Sequence, residues 1–160
     1  MSENKKNNHL DPGLYVVSTP IGNLLDITLR ALDVLKQSDY VLCEDTRHSL
    51  KLLNFYKIKK KLVSFHKFNE TKKCKEIFDD IEGGKIISLI SDAGTPLISD
   101  PGEFLVKLAR EKKIKVIPVP GPSAVTAAIS VAGFSSKFFF FGFLSKKTKE
   151  RTQELESLCK

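Results

Sequence analysis

Five short apolar runs, each followed by a stretch patterned as a helix, constrain this chain more than any other feature. Residues 14–17, Leu-Tyr-Val-Val, lie between Gly13 and Pro20 and are apolar at successive positions, so they read as a strand covered on both faces. Residues 40–43, 62–65, 86–90 and 115–119 repeat the signal, with 86–90 the most apolar. Between them, Thr28 is placed to cap a helix that carries Leu29, Leu32 and Leu35 and ends near Ser38. Thr46 opens a second helix with Leu50, Leu53 and Phe55, and 69–82 forms a third, closed by Gly83-Gly84. A fourth over 103–112 turns Phe104, Leu105 and Leu108 inward, and 122–132 has the small apolar composition of a buried helix with Pro122 in its first turn. Strands apolar on both sides need helices on both sides. The expected fold is therefore α/β, a mostly parallel five-stranded sheet flanked by helices. Right-handed crossovers then gather the loops after the strands on one edge, where open α/β sheets bind ligands.

The polar residues 1–12 read as a flexible tail, and 13–134 as the α/β domain. The character changes beyond Gly133, where Phe138 to Phe143 form a dense aromatic run that reads as a strand, followed by a basic helical stretch to Lys160. Residues 137–160 are accordingly expected to begin a second domain that this chain does not finish. No apolar run approaches the roughly 20 residues of a membrane span, and the polar N-terminus is no secretory signal, so a cytoplasmic protein without membrane association is expected. Cys43, Cys74 and Cys159 are too scattered for a disulfide framework or a zinc site, and no metal is expected. The net charge of +7 is concentrated in Lys57, Lys59, Lys60 and Lys61 and in Lys146, Lys147, Lys149 and Arg151, a pattern suited to phosphates.

Phosphate-binding Gly-Lys-Ser/Thr loops, G-x-G-x-x-G after the first strand, H-E-x-x-H and G-x-S-x-G are all missing, which argues against nucleotide hydrolysis and dinucleotide redox chemistry. What the loops carry instead is small residues, prolines and acids: 18–28 after the first strand, 91–102 after the fourth and 118–124 around the end of the fifth. Small side chains let a ligand approach backbone N–H and C=O groups, and prolines stiffen the loops. Twelve residues at 91–102 exceed the two to six usual between strand and helix, which marks that loop as a site.

The runs at 14–23, Glu44-Asp45-Thr46-Arg47, 91–102, 118–124 and Phe141-Gly142-Phe143-Leu144 closely resemble the bacterial 16S ribosomal RNA cytidine 2′-O-methyltransferases, a branch of the tetrapyrrole (corrin/porphyrin) methylase superfamily. The resemblance covers the chain from Gly13 onward and about the first half of the family's length. It implies that S-adenosylmethionine lies in a cleft between two α/β domains, with contacts from Pro20, Ile21, Asp92, Gly94, Thr95, Pro96, Ile98, Ser123 and Ala124. It further implies a homodimer and, as substrate, 16S ribosomal RNA or the small ribosomal subunit, with no DNA partner. The corrin and porphyrin branches typically carry Gly-Asp-Pro where Gly94-Thr95-Pro96 stands here, which points away from a tetrapyrrole precursor, the alternative substrate. A chain resembling half an enzyme holds about half of the cleft. A binding fragment without turnover is thus the other alternative.

Amides, carboxylates and apolar cover suit a cationic sulfonium joined to a flat base and a ribose. Ser123 also suits a helix cap. Methylating a ribose hydroxyl is an in-line displacement by a weakly acidic nucleophile, in which positioning dominates and a general base adds roughly 10²–10⁴-fold. Asp45 or Glu44 is expected to assist the hydroxyl while Arg47 holds a neighbouring phosphate, with His66 as the rival base.

Overall fold

The computed structural model describes residues 9–66, 69–134 and 137–158. Five strands, β1 (Gly13–Val17), β2 (Tyr40–Cys43), β3 (Lys61–Ser64), β4 (Ile86–Leu89) and β5 (Val116–Val119), form one all-parallel sheet in the order β3-β2-β4-β1-β5. Among the described residues, an α-helix follows each strand, α1 (Leu29–Gln37), α2 (Thr46–Phe55), α3 (Glu70–Glu82), α4 (Glu103–Glu111) and α5 (Ala124–Ala132), and a sixth, α6 (Thr148–Leu158), lies beyond α5.

The strand order explains which face each helix covers. From β1 through β2 to β3 the chain moves toward one edge, and from β3 through β4 to β5 it moves back. Right-handed crossovers in opposite directions place their helices on opposite faces. Accordingly Ala31, Val34 and Leu35 of α1 and Leu52 and Leu53 of α2 pack with Tyr15, Val17, Val41 and Ile86 on one side. Cys74, Ile77, Phe78 and Ile81 of α3 and Leu105 and Ala109 of α4 pack with Leu14, Leu42, Ile87 and Leu89 on the other. Alternate residues of each strand thus feed two separate cores, which is why the strands read as continuous apolar runs. Cys43 and Cys74 are buried free thiols, raised above the usual thiol range by desolvation, while Cys159 lies outside the described residues.

Several local expectations hold. The Thr28 hydroxyl accepts from the Ala31 amide at 3.1 Å and caps α1. Others do not. Leu29, which shares the three-residue spacing of Leu32 and Leu35, is 85% exposed, because Ala31, Val34 and Leu35 set the buried face of α1. Leu50 and Phe55 of α2 are likewise exposed, and the buried pair is Leu52 and Leu53. Helix α5 has no buried residue, contrary to its apolar composition, because no described element covers its outer side. Phe138 to Phe143 form no strand and join no sheet, since β3 and β5 remain the edges, and all five phenylalanines are exposed. Of the expected N-terminal tail, residues 1–8 lie outside the described residues. Leu10 packs against the α1 core, and Asp11 pairs with Lys115 at 2.5 Å. No helix among the described residues is long and apolar enough to cross a membrane.

Candidate functional site

The chain leaving β1 turns toward one face of the sheet and the chain leaving its neighbour β4 toward the other, which opens a crevice at their C-terminal ends. Three loops meet there. Thr19 and Gly94 form an antiparallel bridge, with Thr19 N donating to Gly94 O at 2.9 Å and Gly94 N to Thr19 O at 3.1 Å. The Thr19 hydroxyl donates to Ser91 O at 3.1 Å. Thr95 Oγ1 donates to Pro122 O at 3.3 Å, which leaves Ser18 Oγ, 3.0 Å away, to donate to Thr95. One hydroxyl therefore joins the loops after β1, β4 and β5. A Cβ at Gly121 would stand 2.9 Å from Ser18 Cβ, so the first and fifth loops approach as closely as only glycine permits.

The fourth loop, 90–102, is held in an unusual backbone. Gly94 (φ 81°) and Gly102 (φ 116°) adopt positive φ, and so do Leu97 (φ 71°) and Ser99 (φ 65°). A leucine in that region costs about 1–2 kcal/mol, and such outliers concentrate at ligand sites. A Cβ at Gly102 would meet Leu89 Cδ2 at 2.8 Å.

These loops enclose a cavity of about 490 Å³ lined by Ile21, Glu44, Asp92, Gly94, Thr95, Ile98, Ser123 and Ala124, together with Ser99, Asp100, Val125, Phe140 and Phe143. Seven of the nine expected cofactor contacts are in that lining. Pro20 and Pro96 are buried behind it and do not line it. Ser123 occupies the N-cap position of α5 without a capping bond from its side chain, and it faces both this cavity and an adjoining groove beside Thr28 and Thr126. Asp100, Ser99, Val125 and the two phenylalanines were not singled out by residue type. Asp100 and Ser99 had a signal, since they sit in the long fourth loop. Phe140 and Phe143 had none, because their contact with the cavity depends on where the chain beyond α5 returns.

The acid–arginine run behaves in two ways. Asp45 caps α2, accepting from the Arg47 amide at 2.8 Å, and its carboxylate also takes Arg47 Nε at 3.2 Å and Nη2 at 2.9 Å. The Arg47 side chain and amide hold the Asp45 carboxyl down to about 2. Glu44 is the opposite case. Desolvation, then Asp92 and Asp100, push its carboxyl above the usual range, although the residue as a whole is exposed. Asp100 is raised as well, by burial first and Asp92 second, with a Ser91 hydrogen bond working against both. The Asp45 amide donates to Asp92 Oδ1 at 3.4 Å, which ties the end of β2 to the fourth loop. His66, at the end of β3, lies outside the cavity lining; Asn69 Nδ2 is 3.1 Å from its Nε2. Glu44, Ser99 and Asp100 also line a neighbouring hollow of about 450 Å³ with Glu70 and Glu103, so the cavity opens on that side onto carboxylates. A larger hollow, about 630 Å³, lies beside edge strand β3, where Lys85 pairs with Asp80 at 2.6 Å and Tyr40 donates to Asp80 at 3.0 Å. Its lining balances Asp39, Glu76 and Asp80 with Lys61, Lys73 and Lys85 and shares no residue with the loop cavity.

Against known proteins, the family model for Tetrapyrrole (Corrin/Porphyrin) Methylases matches residues 13–160. The chain is 52% identical over 145 residues to Ribosomal RNA small subunit methyltransferase I of Mycoplasmopsis pulmonis, covering 91% of this chain and 65% of that protein. The proteins of the same name from Thermotoga maritima (51% over 148 residues, 92% and 66%) and Vibrio cholerae (48% over 161 residues, 100% and 56%) are similar in the same way. The chain thus spans between about half and two thirds of the length of these curated relatives. Among solved structures, diphthine synthase superposes with a TM-score of 0.64 at 16% identity, covering 91% of this chain and 60% of that one. Uroporphyrin-III-C-methyltransferase from Thermus thermophilus gives 0.57 at 22%, covering 79% and 54%. At such identities these two likenesses speak for the fold alone.

Proposed function

This chain belongs to the tetrapyrrole (corrin/porphyrin) methylase family, and from that premise we propose that it is the N-terminal part of an S-adenosylmethionine-dependent enzyme that methylates a cytidine ribose 2′-hydroxyl in small-subunit ribosomal RNA. The observation that carries this reading is near-half identity, across at least nine tenths of the chain, to relatives bearing one name. The cavity supports it. Ile21, Ile98, Val125 and Phe140 offer apolar cover for a flat base, Gly94 exposes backbone, Thr95 and Ser123 offer hydroxyls, and Asp92, Glu44 and Asp100 provide the negative charge that a cation requires. When bound, the cofactor supplies an activated methyl group on a sulfonium.

The chain's own residues then divide the remaining work. Glu44 is the better proton acceptor for the ribose hydroxyl, because its raised carboxyl holds a proton more readily than Asp45, which Arg47 keeps ionised down to about 2. Asp45 positions Arg47, whose guanidinium is exposed and so available to a phosphate beside the target nucleotide. His66 remains the rival base. The same reading makes 13–134 one domain and 137–160 the start of a second, and makes the working unit a homodimer. The uncovered apolar surface of α5 and of Phe138 to Phe143 supports both assignments.

Methyl transfer to small-subunit RNA by the full-length protein, together with calorimetric titration of the cofactor, tests the proposal. Glu44→Gln is expected to lower kcat by about 10²-fold or more with cofactor affinity retained, and Arg47→Ala to raise KM for RNA. If Glu44→Gln, Asp45→Asn and Arg47→Ala all leave transfer untouched, the residue assignment fails. Methyl retained on a porphyrinogen in place of RNA overturns the substrate.

A further inference from the structure

The two ends of the sheet carry opposite charge. The connections that follow the strands hold Asp26, Glu44, Asp45, Asp92 and Asp100 and, among the described residues, no Lys or Arg. The connections that precede the strands, 9–12, 38–39, 56–60, 83–85 and 112–115, hold seven lysines against Asp11 and Asp39. Asp11 is paired with Lys115, and the Asp39 carboxylate accepts from the Ile86 amide at 2.7 Å. Lys57, Lys59, Lys60, Lys112 and Lys113 form no ion pair among the described residues, and all but the half-buried Lys60 are exposed.

Backbone geometry singles out two of them. Helices α2, α3 and α4 end in the same turn, in which a residue at positive φ is followed by an amide that reaches back five residues. Ile58 N bonds Leu53 O at 2.8 Å, Lys85 N bonds Asp80 O at 3.0 Å and Ile114 N bonds Ala109 O at 2.8 Å. In α3 the positive-φ residue is Gly84 (φ 97°), the residue such a turn favours. In α2 and α4 it is Lys57 (φ 54°) and Lys113 (φ 59°), an L-residue held in a conformation that costs stability. Both strained residues are lysines, both are exposed, and both stand on the basic rim.

We propose that this rim is the surface on which the protein holds the sugar–phosphate backbone of its RNA substrate, with Lys57, Lys59, Lys60 and Lys113 as phosphate contacts. The inference rests on the RNA reading above and adds where the affinity comes from. The cleft side offers a polyanion little more than the single Arg47 guanidinium beside the target nucleotide, since its loops present carboxylates. Ammonium groups are point charges that suit phosphate oxygens without reading bases. They are spread over five strands, roughly 19 Å at about 4.8 Å per strand, which matches an extended polyanion better than one small anion. The two rims are only about 13–17 Å apart along strands of four or five residues, so a folded RNA can present a nucleotide to the cleft while a neighbouring helix rests on the lysines. The second basic cluster is a weaker candidate, because Lys147 pairs with Glu150 at 2.8 Å.

The test is Lys57→Gly with Lys113→Gly in the 160-residue chain, read by fluorescence anisotropy on a small-subunit ribosomal RNA fragment across a salt series and by thermal melting. The expected result is several-fold weaker binding and a salt slope smaller by about 2, one per lost phosphate contact, with a melting temperature equal to or above that of the parent chain. Lys59→Gln with Lys60→Gln, where no backbone strain is involved, is expected to lower the slope by a similar amount. Unchanged affinity and slope in both pairs overturns the proposal. So does polyglutamate that competes as well as RNA at equal salt, which would make the rim a site for an acidic protein. Failure of the parent chain to bind RNA overturns the rim as well. The methyl-transfer reading is then judged separately, by the cofactor titration, which this rim does not enter.

Discussion

The rim before the strands and the rim after them belong to the same five strands, yet they are built on opposite plans. Before the strands, connections are two to five residues long, three helices close with one repeated turn, and lysines dominate. After the strands, the first and fourth loops run to eleven and thirteen residues, glycines and prolines bring backbones together, and carboxylates dominate. Short connections leave a surface that can only be decorated with charge. Long ones can close over a ligand. One sheet therefore offers a surface for a polyanion at one end and a cleft for a cation at the other.

The contrast can be broken at several points. The largest effect is expected from Gly102→Ala, because a Cβ there combines positive φ with a 2.8 Å approach to the buried Leu89. It should cost about 2–4 kcal/mol in urea unfolding. Its counterpart Gly84→Ala, also at positive φ but with nothing within 4 Å, should cost only about 1–2 kcal/mol. Equal losses would show that close packing is not what separates the two rims. Thr95→Val comes next. It removes the hydroxyl between Ser18 and Pro122 and should cost about 1–3 kcal/mol while weakening cofactor binding. A variant with parental cofactor affinity would place the ligand elsewhere.

The smallest effects, and the ones that best separate the rims, are in pH. Glu44 and Asp100 have folded pKa values raised above their unfolded ones, so the folded state holds protons longer and stability declines as pH rises from about 4. Asp80 and Asp11, beside Lys85 and Lys115, are lowered. Their contribution is present above about pH 4 and is lost as pH falls through the folded values. Unfolding measured between pH 3 and 7 should therefore show Asp100→Asn removing a negative slope and Asp80→Asn removing a positive one. Slopes of one sign for both would contradict the division. Asp45 sits on the acidic rim but follows the other sign, because Arg47 holds it down to about 2.

Much of this was legible in advance. Strand positions, helix starts such as Thr28 and the long fourth loop follow from local composition, and motif likeness pointed to most of the cavity lining. What was misread had a common cause. Leu29 and Leu50 are leucines at plausible spacing on the wrong side of their helices, and α5 is apolar without being covered. Spacing reports that a face exists, whereas burial depends on what another part of the chain brings to it. Asp45 and Glu44 were equivalent as adjacent carboxylates. They part company because one meets Arg47 while the other is desolvated and faces Asp92 and Asp100.

By itself, then, the sequence determined the alternation of strands and helices, and with it a two-faced parallel sheet, because apolar runs of that length have no other way to leave water. The strand order, the Thr19–Gly94 bridge and the opposite charge of the two rims were decided only in three dimensions. Strand pairing joins residues from 21 to 102 positions apart, and whether a charged side chain acts alone or in company depends on which of those distant segments becomes its neighbour.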